Sequence, residues 1–250
     1  MELRCVLFDF DGVVADTEPS NTRYLEQALA VFGLKLNDEQ RQALIGVNGL
    51  DFIRPLLESA KPPVSDESYL AERQRQGNTY ENSPDLKAQP GLRDFLGLLR
   101  SAGIKTGLVS STSSRLILAA LNRLALADQF DAILCGDMVR RKKPDPEGYR
   151  RAMELLQVPP ECCVVIEDSP IGIRAGLGAG AYVLAYEGAS VPQDTDLARD
   201  RVKRFSDCPS LPVFREALVK PYISHQMTAE EKNYEKTRLR PDAAAPAGPC

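Results

Sequence analysis

The sequence predicts an α/β protein: a doubly wound, Rossmann-like parallel sheet core with an inserted α-helical cap. Three observations carry this. Short β-rich runs alternate with longer helical stretches through much of the 250 residues, the pattern of a parallel sheet with helices on both faces. The first run ends in two carboxylates, Asp9 and Asp11, and later runs also end in polar clusters, as the ligand-binding strand ends of such sheets do. Between the first two runs lie about sixty residues with helical periodicity and no convincing strand.

The first strand is expected over Arg4 to Phe10, around the apolar Cys5-Val6-Leu7-Phe8. Side chains two apart on an extended chain share a side, so Asp9 and Asp11 can face one ligand while Phe10 turns away. Ala15 to Pro19 forms the first connection to the cap. There Tyr24, Leu25, Ala28, Leu29 and Phe32 fall on one helical face, with Ser20 placed as N-cap. Further cap helices are expected at Asp38 to Leu44, Leu50 to Ser59 and Ser65 to Asn82. Ser83 to Pro90, holding Pro84 and Pro90-Gly91 in a polar setting, returns the chain to the core. The remaining strands are expected at Ile104 to Ser110, Ala132 to Cys135, Cys163 to Ile166 and Ala181 to Ala185. Helices open near Arg115, span Tyr149 to Leu156 and follow Pro170. Residues 1–15 and 88–220 are thus the expected core, and residues 16–87 the cap with its hinges. Past Val219 periodicity is lost, and residues 221–250 read as a loosely ordered tail.

Hydrophobic residues at 43% and charged residues at 26% are an ordinary globular balance, on a chain long enough to bury a sizeable core. A net charge of -4 offers no general attraction for nucleic acid or an anionic membrane, so an anionic substrate needs local positive groups. No apolar run approaches a membrane span, and the N-terminus enters a strand without the charged and apolar regions of a signal peptide. A cytoplasmic protein is the expectation. The six cysteines, at 5, 135, 162, 163, 208 and 250, include no pair at the spacing of a zinc or redox motif and read as reduced. His225 is the sole histidine, which leaves acid and base chemistry to carboxylates.

Asp9 and Asp11 alone read equally well as an Asp-rich turn, since turns favour Asp and Gly for local backbone reasons. The later strand ends change the balance. Ser110 and Ser111 can donate to an anion. Arg140-Arg141-Lys142-Lys143-Pro144-Asp145-Pro146 precedes a helix, and Glu167-Asp168-Ser169-Pro170 closes the fourth run. Singly these are a cap, a solvated basic run and a strand-to-helix turn. Together they supply a nucleophile, an acid and base, phosphate-binding groups and metal carboxylates at one edge of one sheet.

The ordered set Asp9-Phe10-Asp11-Gly12-Val13, Ser110, Lys143-Pro144-Asp145-Pro146 and Glu167-Asp168 resembles the four motifs of the haloacid dehalogenase superfamily of phosphotransferases, in its β-phosphoglucomutase-like branch. The resemblance covers roughly residues 1 to 220. It implies that Asp9 attacks phosphorus and becomes an aspartyl phosphate, and that Asp11 is general acid and then base. It further implies that Mg2+ is held by the Asp9 carboxylate, the Asp11 backbone carbonyl, Asp168 and Glu167, and that Ser110, Ser111 and Lys143 bind phosphate. In that branch a mutase carries a cap arginine just after a Gly-Val pair, where Gly46-Val47-Asn48-Gly49 leaves glycine. The mutase histidine falls at Asn21, and its lysine after the second strand at Ser113. These departures favour hydrolysis of a small phosphorylated metabolite, a sugar phosphate, over a mutase. A receiver-like phospho-acceptor domain is the non-enzyme alternative, and the inserted cap counts against it. Asn48, Asn21, Arg23 and Arg54 are the cap residues that could contact substrate.

Overall fold

The structure, a computed structural model, describes residues 1–44 and 49–218. Six parallel strands, β1 (Cys5–Phe8), β2 (Lys105–Val109), β3 (Ala132–Leu134), β4 (Cys163–Glu167), β5 (Tyr182–Tyr186) and β6 (Asp200–Val202), form one sheet in the order β3-β2-β1-β4-β5-β6. The first five lie where the β-rich runs place them, with ends displaced by a residue or two. β6 was not expected, because three residues are too few to show a period. Strand order reverses between β1 and β4, so their carboxyl ends form the crevice at the switch point of the sheet.

Between β1 and β2 come the cap helices α1 (Glu18–Val31), α2 (Asp38–Ala43), α3 (Gly49–Ser59), α4 (Asp66–Gln76) and α5 (Thr79–Asn82). They share a small core of their own, in which Leu25, Ala28 and Leu29 of α1 meet Leu36, Ile53, Leu57 and Tyr69. Two local expectations are corrected. Ser20 is not the N-cap of α1. Pro19, whose missing N–H costs nothing in a first helical turn, sets the start earlier, with Thr17 at the cap position. Ser20 is buried inside the helix, its hydroxyl 3.0 Å from that of Ser83. The expected helix from Ser65 to Asn82 is broken in two. Gly77 takes φ +92°, a left-handed conformation that helix-interior residues avoid, and the Asn78 side chain accepts from the Glu81 amide to cap α5 afresh.

The core helices α6 (Leu92–Ser101) and α7 (Ser114–Arg123) cover one face of the sheet, and α8 (Glu147–Leu156) and α9 (Pro170–Gly178) cover the other. Alternation along β1 sends Val6 and Phe8 to the first layer and Cys5 and Leu7 to the second. Phe8 sits centrally, its ring 6.2, 6.0 and 6.2 Å from those of Phe95, Phe130 and Phe205. α5 belongs to the cap in sequence but packs on α7, where the Arg123 guanidinium donates to the carbonyls of Tyr80 (2.9 Å) and Ser83 (2.5 Å). Cys5, Cys135, Cys162, Cys163 and Cys208 are free thiols. The expected tail, with His225 and Cys250, and the Gly46-Val47-Asn48 segment lie outside the described residues. Among the described residues no helix is long and apolar enough to cross a membrane.

Candidate active site

β1 and β4 end side by side, and the Asp9 amide donates to the Ile166 carbonyl at 3.0 Å, which carries the pairing to the edge of the crevice. Asp9, Glu167 and Asp168 therefore emerge together, each less than a tenth exposed, with one carboxylate oxygen from each within 4.8 Å of the others. Lys143, from the loop between β3 and α8, enters this cluster. Its ammonium lies 2.5 Å from Asp9 Oδ1 and 2.6 Å from Glu167 Oε1, and it donates to the Val109 carbonyl at 2.8 Å. Three donors thus meet three acceptors. The Tyr149 hydroxyl also donates to Glu167 Oε1 at 2.7 Å, and its ring lies 5.0 Å from the Lys143 nitrogen. Gln193, from the loop after β5, donates to Asp168 Oδ2 at 3.2 Å.

The electrostatics follow from burying three acids with one base. Burial first, then the Glu167 charge, pushes Asp9 up against the pull of Lys143. Burial, then Asp9 and Glu167, holds Asp168 well above the usual carboxylate range. The Lys143 ammonium is opposed by burial, yet Asp9 and Glu167 carry it above its ordinary value. A site left this negative suits a hard divalent cation taking oxygen ligands. The backbone keeps the space open as well. Gly12, at φ +82°, would place an added Cβ 1.9 Å from Asp168 Oδ2, and one on Gly172 would stand 1.9 Å from Glu167 Oε1.

Asp11 lines the same cavity but is held apart from the cluster. Its Oδ1 accepts from the Thr17 hydroxyl at 2.6 Å and from the Tyr80 hydroxyl at 2.8 Å, and its Oδ2 accepts from Thr112 at 3.1 Å. The Thr17 hydroxyl, spent in this way, makes no capping bond to α1. The cavity, of ≈ 370 Å³, lies between the sheet edge and the cap, and is bordered by Asp9, Asp11, Lys143 and Asp168 from the core side and by Glu18, Asn21 and Arg73 from the cap. That volume falls within the ordinary range of small-molecule sites. Burial, then Asp11 and Asp16, pushes the Glu18 carboxyl up to about 7.

Of the residues singled out in the sequence, Asp9, Asp11, Lys143, Asp168 and Ser111 border the cavity, and Glu167 stands just beneath it. Ser110 is buried behind, where its Oγ accepts from the Thr112 amide at 3.0 Å. Asn21 reaches the cavity and accepts from Thr79. Arg23 is paired with Asp85, and Arg54 with Asp51 and Asp66. Ser113 is the N-cap position of α7, and Gly49 opens α3. Thr17, Tyr80, Thr112, Tyr149, Gln193 and Arg73 were not anticipated. Only Thr17 carried a usable signal, lying between Asp16 and Glu18 in the acidic segment that follows Asp11.

A model of the haloacid dehalogenase-like hydrolases matches residues 6–186. The chain is 35% identical over 178 residues to the phosphorylated carbohydrates phosphatase of Thermotoga maritima, covering 71% of this chain and 82% of that one. It is 31% identical over 212 residues to protein CbbY of Cereibacter sphaeroides, covering 80% and 91%. The crystal structure of CbbY from Rhodobacter sphaeroides in complex with phosphate superposes with a TM-score of 0.68 at 27% identity, covering 82% of this chain and 96% of that one. With the family model matching residues 6–186 and a relative 35% identical over 71% of this chain, the chain belongs to the haloacid dehalogenase-like hydrolase family.

Proposed function

We propose that this hydrolase cleaves a small phosphomonoester, a sugar phosphate by class, in a Mg2+-dependent reaction that passes through a phosphoryl group on Asp9. The observation that carries the reading is the convergence, under one cap, of Asp9 with the Lys143 ammonium on its Oδ1 and of a second acid two residues along. Phosphoryl transfer asks a protein chiefly for alignment and for positive charge at the transferring oxygens. The names of the relatives support the substrate class. The Thermotoga protein is named for phosphorylated carbohydrates, and the CbbY crystal holds phosphate.

Asp9, Asp168 and Glu167, with the Asp11 backbone carbonyl, would hold the cation. Bound there, it supplies charge neutralisation that lets an anionic phosphate approach an anionic nucleophile. An Asp9 carboxylate oxygen attacks phosphorus as the ester P–O bond breaks, and Asp11 gives its proton to the departing oxygen. Asp11, now a carboxylate, removes a proton from water, whose oxygen attacks the phosphorus of the aspartyl phosphate. The bond to Asp9 breaks, restoring its carboxylate and releasing inorganic phosphate. Lys143 and the Ser111 hydroxyl hold phosphoryl oxygens through both steps, and the cap limits access of water.

The test is Asp9→Asn, which removes the nucleophile with little change in shape. Phosphate release should be lost while the melting temperature stays within a few degrees of the parent's. Near-normal release from pure Asp9→Asn protein removes Asp9 from this role. Product analysis separates hydrolysis from a mutase: inorganic phosphate is the expected product, and an isomerised ester as the main product reverses the assignment.

A further inference from the structure

The cap holds five arginines within the described residues, and four of them have carboxylate partners. Arg23 pairs with Asp85 at 2.6 Å, Arg41 with Glu26 at 2.6 Å, Arg54 with Asp66 at 3.0 Å and Arg75 with Glu72 at 2.5 Å. Arg73 has none. Its Nη1 is buried without a hydrogen-bond partner, although it sits on α4 between residues that form the Glu72–Arg75 pair. Burial pulls its guanidinium below the ordinary value, and Tyr69 alone acts in the opposite sense. Arg73 as a whole is only partly buried, but a buried N–H group without a hydrogen-bond partner is costly, and natural proteins satisfy such groups.

Arg73 also has a particular place. It borders the cavity that holds Asp9, Asp11, Lys143 and Asp168, and none of those carboxylates contributes to its ionisation. The cavity therefore has an acidic floor at the sheet edge, and on the cap side, beside Glu18 and Asn21, an arginine whose Nη1 is unpartnered. A neutral hydroxyl can accept a hydrogen bond from Nη1 but leaves its charge uncompensated; an anion supplies both. Resting on the phosphatase reading above, we propose that Arg73 is the specificity-determining residue that receives a second anionic group, carboxylate or phosphate, at the end of the substrate remote from the phosphoryl group taken by Asp9.

The experiment uses the full chain with Mg2+ and a series of phosphorylated polyols of increasing length. Each length is offered with its far terminus as a primary alcohol, a carboxylate or a second phosphate. At the best length, kcat/KM should favour a charged terminus by about ten- to a hundredfold, chiefly through KM. The carboxylate and phosphate arms then identify which anion is used. Arg73→Gln should erase the preference, bringing kcat/KM for the carboxylate and phosphate termini down to that of the alcohol ester measured with the same variant, and Arg73→Lys should restore part of it. Equal kcat/KM for all three termini overturns the inference, as does a preference that survives Arg73→Gln. An activated aryl phosphate reports separately on the underlying reading. Hydrolysis of that ester without terminus preference removes the Arg73 assignment alone, whereas no release from it or from any polyol ester removes the phosphatase reading and this inference with it.

Discussion

Replacing Gly12 with alanine tests whether Asp168 must stand where the structure puts it. The added Cβ would lie 1.9 Å from Asp168 Oδ2 and 2.5 Å from its Cγ. An ordinary carbon–oxygen contact of about 3.3 Å therefore requires the carboxylate to retreat by roughly 1.4 Å. Alanine at φ +82° also costs about 1–2 kcal/mol in the backbone. For a chain of this size that lowers the melting temperature by about 2–8 °C. A displacement of this order at the site should reduce kcat about a hundredfold, and, with Asp168 in its proposed role as a cation ligand, should raise the Mg2+ concentration for half-activation about tenfold. Gly33→Ala is the control, because Gly33 has φ +72° but nothing within 4 Å of an added Cβ. It should melt lower by a similar amount and keep full activity. The assays are Mg2+ titration of phosphate release and thermal melting in chelator. A Gly12→Ala protein with kcat and Mg2+ half-saturation within about twofold of the parent refutes the reasoning.

Other expectations follow from the surroundings of the site. Tyr149→Phe removes one of two strong donors from the fully buried Glu167, and should cost about 1–3 kcal/mol in urea unfolding; unchanged stability contradicts the hydrogen bond. Phe95→Ala empties a position 1% exposed, in ring contact with Phe8, Phe205 and Phe214, and should cost about 3–5 kcal/mol by the same assay. A loss below about 1 kcal/mol means that the aromatic layer closes over the gap. Glu18 has a folded value of about 7 against an ordinary 4.5, so its anion is disfavoured in the folded state. The penalty is absent below the lower value, grows as pH rises between the two and is complete above the higher. Glu18→Gln should therefore stabilise the metal-free protein at pH 8, by no more than about 3 kcal/mol, and change little near pH 4.5; equal effects at both pH values in chelator-treated melts contradict the sign.

Much of the fold is legible because strand ends and helix faces are local. Cys5 to Phe8 is apolar throughout, as a strand buried on both faces must be, and the α1 stripe of Leu25, Ala28 and Leu29 repeats at helical spacing. Legibility fails where a local signal competes with another. Ser20 is a good N-cap residue, yet Pro19 beside it is a better first-turn residue, and proline prevailed. Gly77-Asn78 was a visible break inside a polar helical run. Its consequence, α5 held on α7 by Arg123, depends on a residue more than forty positions away.

The site divides the same way. Asp9, Asp11, Glu167 and Asp168 are readable because each stands at or just past the end of a strand, and parallel pairing of β1 with β4 obliges those ends to meet. The side chains that govern them come from elsewhere. Tyr80 reaches Asp11 from α5, Tyr149 reaches Glu167 from α8, and Gln193 reaches Asp168 from the loop after β5. None belongs to a run whose composition sets it apart, since tyrosine and glutamine are common on half-buried helices and loops. Arg73 shows the limit most plainly. Within α4 it is one arginine in Glu72-Arg73-Gln74-Arg75, indistinguishable in sequence from the partnered residue two positions on. What separates the two is where each side chain lies once α4 packs on α1: Arg75, largely exposed, reaches the buried Glu72 carboxylate, and Arg73 borders the cavity with its Nη1 unpartnered. Floor chemistry is thus written along the strands, while selectivity is set by which cap side chains are left without a partner.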